Sequence, residues 1–423
     1  MNSTYAIIAL LIFIAAYILV IGEETLELKK SKPVVLAAGL IWLLVGIAFG
    51  NSDHAQVEAA AGNAIKDYGE LLLFLLVSIT YVNVLEERKV FDAVRAKLVG
   101  AGLSYRGLFW AIGAASFVLS IVLANMTTAM VLGAVALGLG RGNAKFITLA
   151  CINIVVASNA GGAFCPFGDV TSLMVWQAGK LGFWPFFQLF IPALVSWLIP
   201  ALLMSLVLPA GKPTSTQLRV VMKPGALMII ALFAVSIAFT IYMQTALGLP
   251  PVFGMILGLG LLQAYVFFLQ RRGKAQARSD MVLNSFAEMQ RVEWDTLLFF
   301  FGIMLSLAGL GVFGWLTVLQ TSVYDGLGIF WANTAVGVLS ALFDNVPLVY
   351  AVLQMNPQMN EHGWLLLTLS AGVGGSLLSI GSAAGVALMG QAGKSYTFMQ
   401  HLRWTPVIAL GFAAAIGLHQ LLN

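Results

Sequence analysis

Two carboxylates, Asp169 and Asp344, lie inside long apolar stretches of this sequence, each beside a break that contains Gly, Asn or Pro. A charged group at membrane depth costs on the order of several kcal/mol, so such groups are usually retained for transport or proton relay. Carboxylate and hydroxyl oxygens suit a hard cation, and backbone carbonyls freed at a helix break can replace its water shell. Desolvation also raises the pKa of a carboxyl group, so a proton can compete with the cation. These residues therefore predict exchange of a small cation for a proton.

Polar side chains near the breaks form one candidate ligand set in each half of the chain. The candidate ion-binding residues are Asn125, Asn159, Asp169, Thr171 and Ser172 in the first half, and Ser340, Asp344, Asn345, Ser379 and Ser382 in the second. The residues expected to contact the metal cation directly are Asp169, Asn125, Asn159 and Thr171. Structural interpretations stay open: either Asp could cap the helix that follows it, and Asn125 and Asn345 could satisfy backbone groups where two segments meet.

The composition places these residues in an all-α polytopic membrane protein. Of 423 residues, 60% are hydrophobic and 9% are charged, whereas globular proteins have about 25% charged residues. Uninterrupted apolar runs of about 17 to 25 residues are long enough to cross a bilayer as helices. The first run, 5–22, is followed by Glu23-Glu24 rather than by a small-residue cleavage site, which indicates a retained span. Cys151 and Cys165 have no metal-site spacing and are interpreted as small core residues.

Two kinds of interruption divide the apolar runs. The predicted full spans are 5–22, 34–50, 70–86, 146–177, 183–208, 225–247, 251–270, 295–316, 364–392 and 404–421, of which 146–177 and 364–392 are broken helices. The shorter segments 107–123 and 126–140 meet at Ala124-Asn125 without room for an aqueous loop, and 327–343 and 346–355 meet in the same way at Asp344-Asn345. Such pairs predict two re-entrant hairpins, whose non-helical tips line a cavity.

The distribution of positive charge supports this threading. If each hairpin returns to its own side, all of the 22 Lys and Arg except Lys66 and Lys180 fall on one face. The positive-inside rule makes that face cytoplasmic and places both termini outside. The net charge of +4 is then explained by topology and does not indicate a nucleic-acid partner.

The chain also repeats internally, which predicts an inverted-topology repeat. Ser120 to Asn125 resembles Ser340 to Asn345, and Gln177-Ala-Gly-Lys180 recurs as Gln391-Ala-Gly-Lys394. The odd number of crossings between the halves makes them enter from opposite sides, as in many secondary transporters. The expected units are an N-terminal span and cytoplasmic loop (1–33), a first transport repeat (34–208), a cytoplasmic linker (209–224) and a second transport repeat (225–423).

Under this repeat the two acids occupy non-matching positions. Ser382 corresponds to Asp169, and Ala124 corresponds to Asp344. Asp169 lies in a broken helix, where freed carbonyls are available, so we expect it to be the ion ligand. Asp344 is expected to be a second titrating group or a structural one.

At these residues the chain resembles the NhaD-type sodium/proton antiporters of the ion transporter superfamily. The resemblance is clearest over 65–180 and 290–400. The matching stretches are Ala124-Asn125-Met-Thr-Thr128, Asn159-Ala-Gly-Gly162, Gly168-Asp169-Val-Thr171, Asp344-Asn345-Val-Pro347 and Gly374-Gly375-Ser-Leu-Leu-Ser379-Ile-Gly-Ser382-Ala-Ala-Gly385.

The resemblance implies a multi-pass protein of the bacterial inner membrane that exchanges Na⁺, often Li⁺, for H⁺. It implies no cofactor beyond the transported ions, and a homodimer. It implicates, position by position, Asn125, Asn159, Asp169, Thr171, Ser172, Ser340, Asn345, Ser379 and Ser382. The chain departs from its relatives at Ala124, where they tend to have an acid, so the resemblance does not carry over their proton stoichiometry or ion preference.

Two alternative functions make different demands on the sequence. An anion carrier of the same superfamily, for a dicarboxylate, citrate or arsenite, would favour neutral Ser, Asn and Thr at the site with helix N-termini facing the anion. The two acids argue against it. An intramembrane enzyme is disfavoured because the sequence has no metalloprotease motif, phosphate-cradling loop or paired-Asp metal motif.

Several other polar residues are expected to be structural. Glu70 and Asp295 are predicted to begin spans near the interface, where a helix N-terminus favours acids. The four histidines, His54, His362, His401 and His419, are expected in loops or near helix ends.

Overall fold

A computed structural model describes residues 3–49, 54–213, 220–276 and 279–423, and the regular structure in these ranges is helical. The helices of eight or more residues are α1 Ser3–Ile21, α2 Ser31–Phe49, α3 His54–Glu87, α4 Val90–Gly100, α5 Tyr105–Leu119, α6 Asn125–Leu139, α7 Ala144–Ala163, α8 Val170–Gln177, α9 Phe190–Leu206, α10 Ala226–Leu247, α11 Val252–Ala275, α12 Trp294–Val312, α13 Gly326–Leu339, α14 Asn345–Met355, α15 Glu361–Gly374, α16 Ala383–Ala392 and α17 Thr405–Leu422. Shorter helical turns are Glu23–Leu26, Trp184–Leu189, Ser279–Met281, Ser285–Gln290, Trp315–Gln320, Thr321–Asp325, Gly393–Ser395 and Phe398–Leu402.

Within the described ranges, nine helices are long and apolar enough to cross a membrane, so the chain is a multi-pass membrane protein. Most predicted spans are found within a few residues of their expected limits. The predicted span 225–247, for example, is Ala226–Leu247. The predicted span 34–50 begins earlier, at Ser31, and its last predicted residue lies outside the described part of the chain.

The predicted span 70–86 lies within a longer helix. Helix α3 begins at His54 and runs through Glu70 without interruption. The stretch before Glu70 is rich in Ala, which has the highest helix propensity, so the polar sequence continues the helix instead of starting it. Glu70 therefore lies in a helix interior, and the explanation of this acid by a helix N-terminus does not hold. Asp295 does lie in the first turn of α12, as expected.

The expected breaks are present as interruptions between helices. Helices α7 and α8 are separated at 164–169, and α15 and α16 at 375–382. Helices α5 and α6 meet across 120–124, and α13 and α14 across 340–344. Helix α7 lies at the centre of the protein, because 94% of its span is buried, against 17% for α1.

Helix α5 packs on α7, and α13 on α15, through close contacts at glycine residues. A Cβ atom at Gly161 in α7 would collide with the carbonyl of Phe117 in α5. A Cβ atom at Gly374 in α15 would collide with the carbonyl of Gly337 in α13. Only glycine permits these backbone contacts, which are the kind of close helix approach that membrane proteins use in place of a hydrophobic driving force.

We expect Gly374→Ala to destabilise the protein, because its methyl group would meet backbone atoms that cannot move aside like the end of a flexible side chain. Overpacking of this kind typically costs about 1 to 3 kcal/mol. Thermal unfolding in detergent should show a lower midpoint. Gly390→Ala is the matched control, since its Cβ would meet nothing within 4 Å. An unchanged midpoint in Gly374→Ala would contradict the close contact.

Candidate functional site

Asp169 is the centre of the candidate site. Pro166 and Gly168 lie in the interruption between α7 and α8, and Asp169 is the N-cap of α8, where its Oδ1 accepts a hydrogen bond of 3.3 Å from the Thr171 backbone N–H. The residue is 7% exposed. A carboxylate can accept about four hydrogen bonds, so capping leaves lone pairs for another donor or a cation. The capping interpretation and the ligand interpretation of Asp169 are therefore compatible.

The helices α13 and α14 form the second pair of short helices, and the junction between them contacts Asp169 directly. The Asn345 side-chain amide donates a 3.2 Å hydrogen bond from Nδ2 to Oδ2 of Asp169. Asp344, one residue earlier, is the N-cap of α14 and accepts a 3.2 Å hydrogen bond from the Val346 backbone N–H. Asn345 thus contacts the other half of the protein instead of satisfying the backbone of its own tip.

The helices α5 and α6 form the first pair of short helices. The junction between them is connected by hydrogen bonds to α7 and to the interruption between α15 and α16. Asn125 donates from Nδ2 to Oδ1 of Asn159 at 2.9 Å. Asn159, which is fully buried, donates from its own Nδ2 to Oγ of Ser376 at 2.9 Å. This chain of hydrogen bonds joins α6, α7 and the interruption after α15, so it crosses from the first half of the sequence to the second.

Four helix N-termini meet at one cavity of about 190 Å³. The N-cap residues of α6, α8, α14 and α16, which are Ala124, Asp169, Asp344 and Ser382, all line this cavity. Asn125 and Asn345 also line it. Helix N-termini carry partial positive charge and by themselves favour anions. Two of these four termini carry their own carboxylate, which reverses the local preference towards a cation.

The remaining predicted residues divide into two groups. Thr171 and Ser172 are fully buried and are not among the residues that line the cavity. Oγ1 of Thr171 has no hydrogen-bond partner among the described residues, whereas Oγ of Ser172 donates to the Gly162 and Ala163 carbonyls at 3.4 Å. Ser382 lines the cavity and caps α16 through the Gly385 N–H.

Like Asn159, Ser340 and Ser379 are not among the residues that line the cavity. Oγ of Ser340 donates to the carbonyls of Gly337 and Ala371, at 2.8 and 3.1 Å, and so joins α13 to α15. Oγ of Ser379 lies 3.1 Å from Sδ of Met389. In this arrangement both serines hold neighbouring elements together.

Several contributors to the site were not predicted. Ser376 lies next to the Gly374-Gly375 pair that marks the second break, and this proximity is the one signal that could have identified it. Its carbonyl lies 2.9 Å from Nε2 of His401, and Nδ1 of His401 lies 2.7 Å from the Tyr396 hydroxyl. His401 and Tyr396 are fully buried. His401 lies in the last turn of Phe398–Leu402, near a helix end as expected.

Charged side chains also line the cavity. Arg291 is held by Glu288, with 2.8 Å between Nη1 and Oε2, and Glu293 accepts a 3.2 Å hydrogen bond from Thr296. Lys30 lies 3.8 Å from Asp344, measured from Nζ to Oδ2. The same cavity is lined by Asp169 together with the amide groups of Asn125 and Asn345 and the hydroxyl group of Ser382. Carboxylate, amide and hydroxyl oxygens are the donor set that suits a small hard cation.

The sequence is similar to known transporters over almost its whole length. A family described as "Citrate transporter" matches residues 17–372. The Na⁺/H⁺ antiporter NhaD of Halomonas elongata is 47% identical over 442 residues, covering 100% of this chain and 89% of that protein.

Two further relatives extend the comparison. The Na⁺/H⁺ antiporter NhaD of Vibrio parahaemolyticus is 48% identical, covering 92% of this chain and 99% of that protein. Sodium/proton antiporter 1 of Arabidopsis thaliana is 32% identical over 96% of this chain and 70% of that protein.

Proposed function

This chain belongs to the NhaD family of sodium/proton antiporters, and from that premise we propose that it exchanges Na⁺ or Li⁺ for H⁺ across a bacterial inner membrane. The observation that carries the proposal within the structure is the placement of Asp169. Its carboxylate is buried at the end of a helix break, receives a hydrogen bond from the other half of the chain, and faces a cavity with a second acid.

The exchange follows from competition at this carboxylate. A bound cation and a bound proton each neutralise Asp169, and each excludes the other from the same oxygens. If the protein changed its open side while Asp169 was empty and ionised, an uncompensated charge would be carried through the low-dielectric interior, which is costly. The protein therefore changes its open side only when Asp169 is occupied, and the two ions move in opposite directions.

The ligand set that we propose is Asp169 with Asn125, Asn159 and Thr171, with Asn345 positioning the carboxylate and Asp344, Ser172 and Ser382 nearby. The unpartnered Oγ1 of Thr171 supports a ligand role, because a buried hydroxyl without a partner costs stability unless something else binds it. Ser340 and Ser379 are proposed to act by packing the second repeat.

The architecture that we propose is an inverted repeat of 34–208 and 225–423, joined by the linker 209–224 and preceded by the unit 1–33. Residues 214–219 of this linker lie outside the described ranges. The proposal is supported by the matching glycine contacts of Gly161 and Gly374. The two short helix pairs are interpreted as re-entrant hairpins, since their tips meet broken helices at the cavity.

The charge distribution supports an orientation with both termini outside and the cavity open to the cytoplasm. Lys30 and Arg291, which line the cavity, belong to the face that carries nearly all the positive charge. Two basic residues assigned to that face, Arg219 and Arg278, lie outside the described part of the chain. The homodimer stays a prediction from the family resemblance.

An anion carrier is the alternative, and the family description "Citrate transporter" together with the four helix N-termini favours it. The two carboxylates at those termini oppose it, because they would face a citrate or dicarboxylate with like charge. Relatives that are 47% identical over the full chain are antiporters by name.

Proteoliposomes with an imposed pH gradient test the proposal. Addition of Na⁺ or Li⁺ should dissipate the gradient, and addition of citrate as an N-methyl-D-glucamine salt should not. A response to citrate without a response to any alkali cation would establish the anion carrier. No response to any alkali cation would overturn the antiporter assignment.

A further inference from the structure

Lys30 occupies a place in the cavity that its position in the sequence does not suggest. The residue lies in the loop between α1 and α2, next to Lys29 and close to Lys32. The positive-inside rule alone would explain these three lysines. Its ammonium group nevertheless lies 3.8 Å from Oδ2 of Asp344, and the side chains of the pair are 21% and 30% exposed. Lys29 and Lys32 are exposed. One of the three lysines is therefore directed towards the site.

Contacts of Lys30 and of the next residue hold the loop that carries Lys30 in place. Oγ of the next residue, Ser31, donates a hydrogen bond to Oδ1 of Asp295 in the first turn of α12. The backbone N–H of Lys30 donates to Oε1 of Glu23 at 3.4 Å. Nζ of Lys30 lies 4.6 Å from the ring centre of Phe299, one turn further along α12. This is a cation–π distance, so the ring holds the ammonium group beside the carboxylate.

Phe343, the residue before Asp344, is contacted by α1, from the same region of the chain. The ring of Tyr17 packs edge-on against Phe343 with 5.5 Å between ring centres. The N-terminal unit thus covers the second helix-pair tip and delivers a fixed cation to its only acid. The other basic side chain that lines the cavity, Arg291, is held by Glu288 and so is not directed at Asp344.

We propose that Lys30 is a tethered cation that occupies Asp344 and thereby lowers the affinity of the site for the transported cation. This inference rests on the proposed exchange of Na⁺ for H⁺. With Lys30 paired, Asp344 contributes little negative potential to the neighbouring Asp169, and the affinity for Na⁺ is held low enough for release. Without Lys30, the ionised Asp344 adds a unit of negative charge to the same cavity and strengthens cation binding.

Lys30→Met tests the proposal, because it removes the charge and keeps an apolar side chain on Phe299. In proteoliposomes we expect the half-saturating Na⁺ concentration to fall about three- to tenfold, the effect of roughly one unit charge across a partly hydrated cavity. Asp344→Asn should raise this concentration by a similar factor, since it leaves the Lys30 charge uncompensated. The double variant Lys30→Met with Asp344→Asn should return close to the wild-type value.

Two controls separate this role from a structural one. Lys30→Arg keeps the charge and should keep the wild-type half-saturating concentration. Lys32→Met removes a neighbouring exposed charge and should also leave it unchanged. If Lys30→Met lowers the maximal rate without shifting the Na⁺ dependence, and Asp344→Asn does not compensate, Lys30 only anchors the loop. If the wild-type protein shows no Na⁺-dependent proton flux, it is the antiporter function that fails.

Discussion

Asp169→Asn is expected to abolish Na⁺-driven proton movement in proteoliposomes while leaving the fold intact. The amide keeps the size of the side chain and an oxygen that can accept the Thr171 N–H bond, so the cap of α8 is retained. The negative charge is lost. We expect the rate at a fixed Na⁺ concentration to fall roughly 100-fold or more, because a unit charge in contact with a cation contributes several kcal/mol even at an effective dielectric constant of about 20.

The large effect follows from what remains in the cavity. Four helix N-termini, Lys30 and Arg291 stay in place, and Asp344 stays paired with Lys30. Without the Asp169 carboxylate the four helix N-termini favour an anion over a cation. Loss of the titrating group also removes the competition between Na⁺ and H⁺, so the coupling disappears together with the binding.

Asp325→Asn is the matched control for this substitution. Asp325 is exposed, at the end of the turn Thr321–Asp325, and does not line the cavity. Its replacement removes the same charge from the protein and should leave transport unchanged. Full Na⁺/H⁺ exchange in Asp169→Asn, at the same reconstituted amount of protein, would show that Asp169 is not the exchanging carboxylate.

Much of this arrangement could be predicted from the sequence because its causes are local. Run length and hydropathy predict the spans, as for α10. Proline and glycine predict the interruption before Asp169, where a helix cannot be continued without losing hydrogen bonds. The pairing of short segments at Ala124-Asn125 and Asp344-Asn345 follows from the absence of any residues for an aqueous loop.

The contacts between distant parts of the chain could not be predicted in the same way. Which side chain meets Asn159 depends on how α7 packs against the second broken helix, and a serine such as Ser376 has no periodic signal of its own. In the sequence nothing separates Lys30 from its neighbours Lys29 and Lys32. Only the anchoring of its loop brings Lys30, and not the other two, beside Asp344. Glu70 was misplaced because local propensity extended α3 beyond the apolar run.

Asn159 makes two of these long-range contacts, and Asn159→Ala is expected to have the second-largest effect on transport. The alanine removes the Oδ1 that accepts from Asn125 and the Nδ2 amide that donates to Oγ of Ser376. A buried polar group without its partner costs about 1 to 3 kcal/mol. Because the contacts join α6, α7 and the second broken helix beside Asp169, we expect the half-saturating Na⁺ concentration to rise at least about tenfold, by the usual conversion of such an energy.

Asn153→Ala separates this effect from loss of stability alone. Asn153 is also fully buried in α7 and also makes two side-chain hydrogen bonds, donating to the Phe109 carbonyl and accepting from Nε1 of Trp197, each at 2.8 Å. Its partners lie away from the cavity. Both alanine variants should lower the thermal midpoint in detergent, and only Asn159→Ala should shift the Na⁺ dependence. Equal Na⁺ dependence in the two variants would mean that Asn159 stabilises the helix packing and has no part in binding the ion.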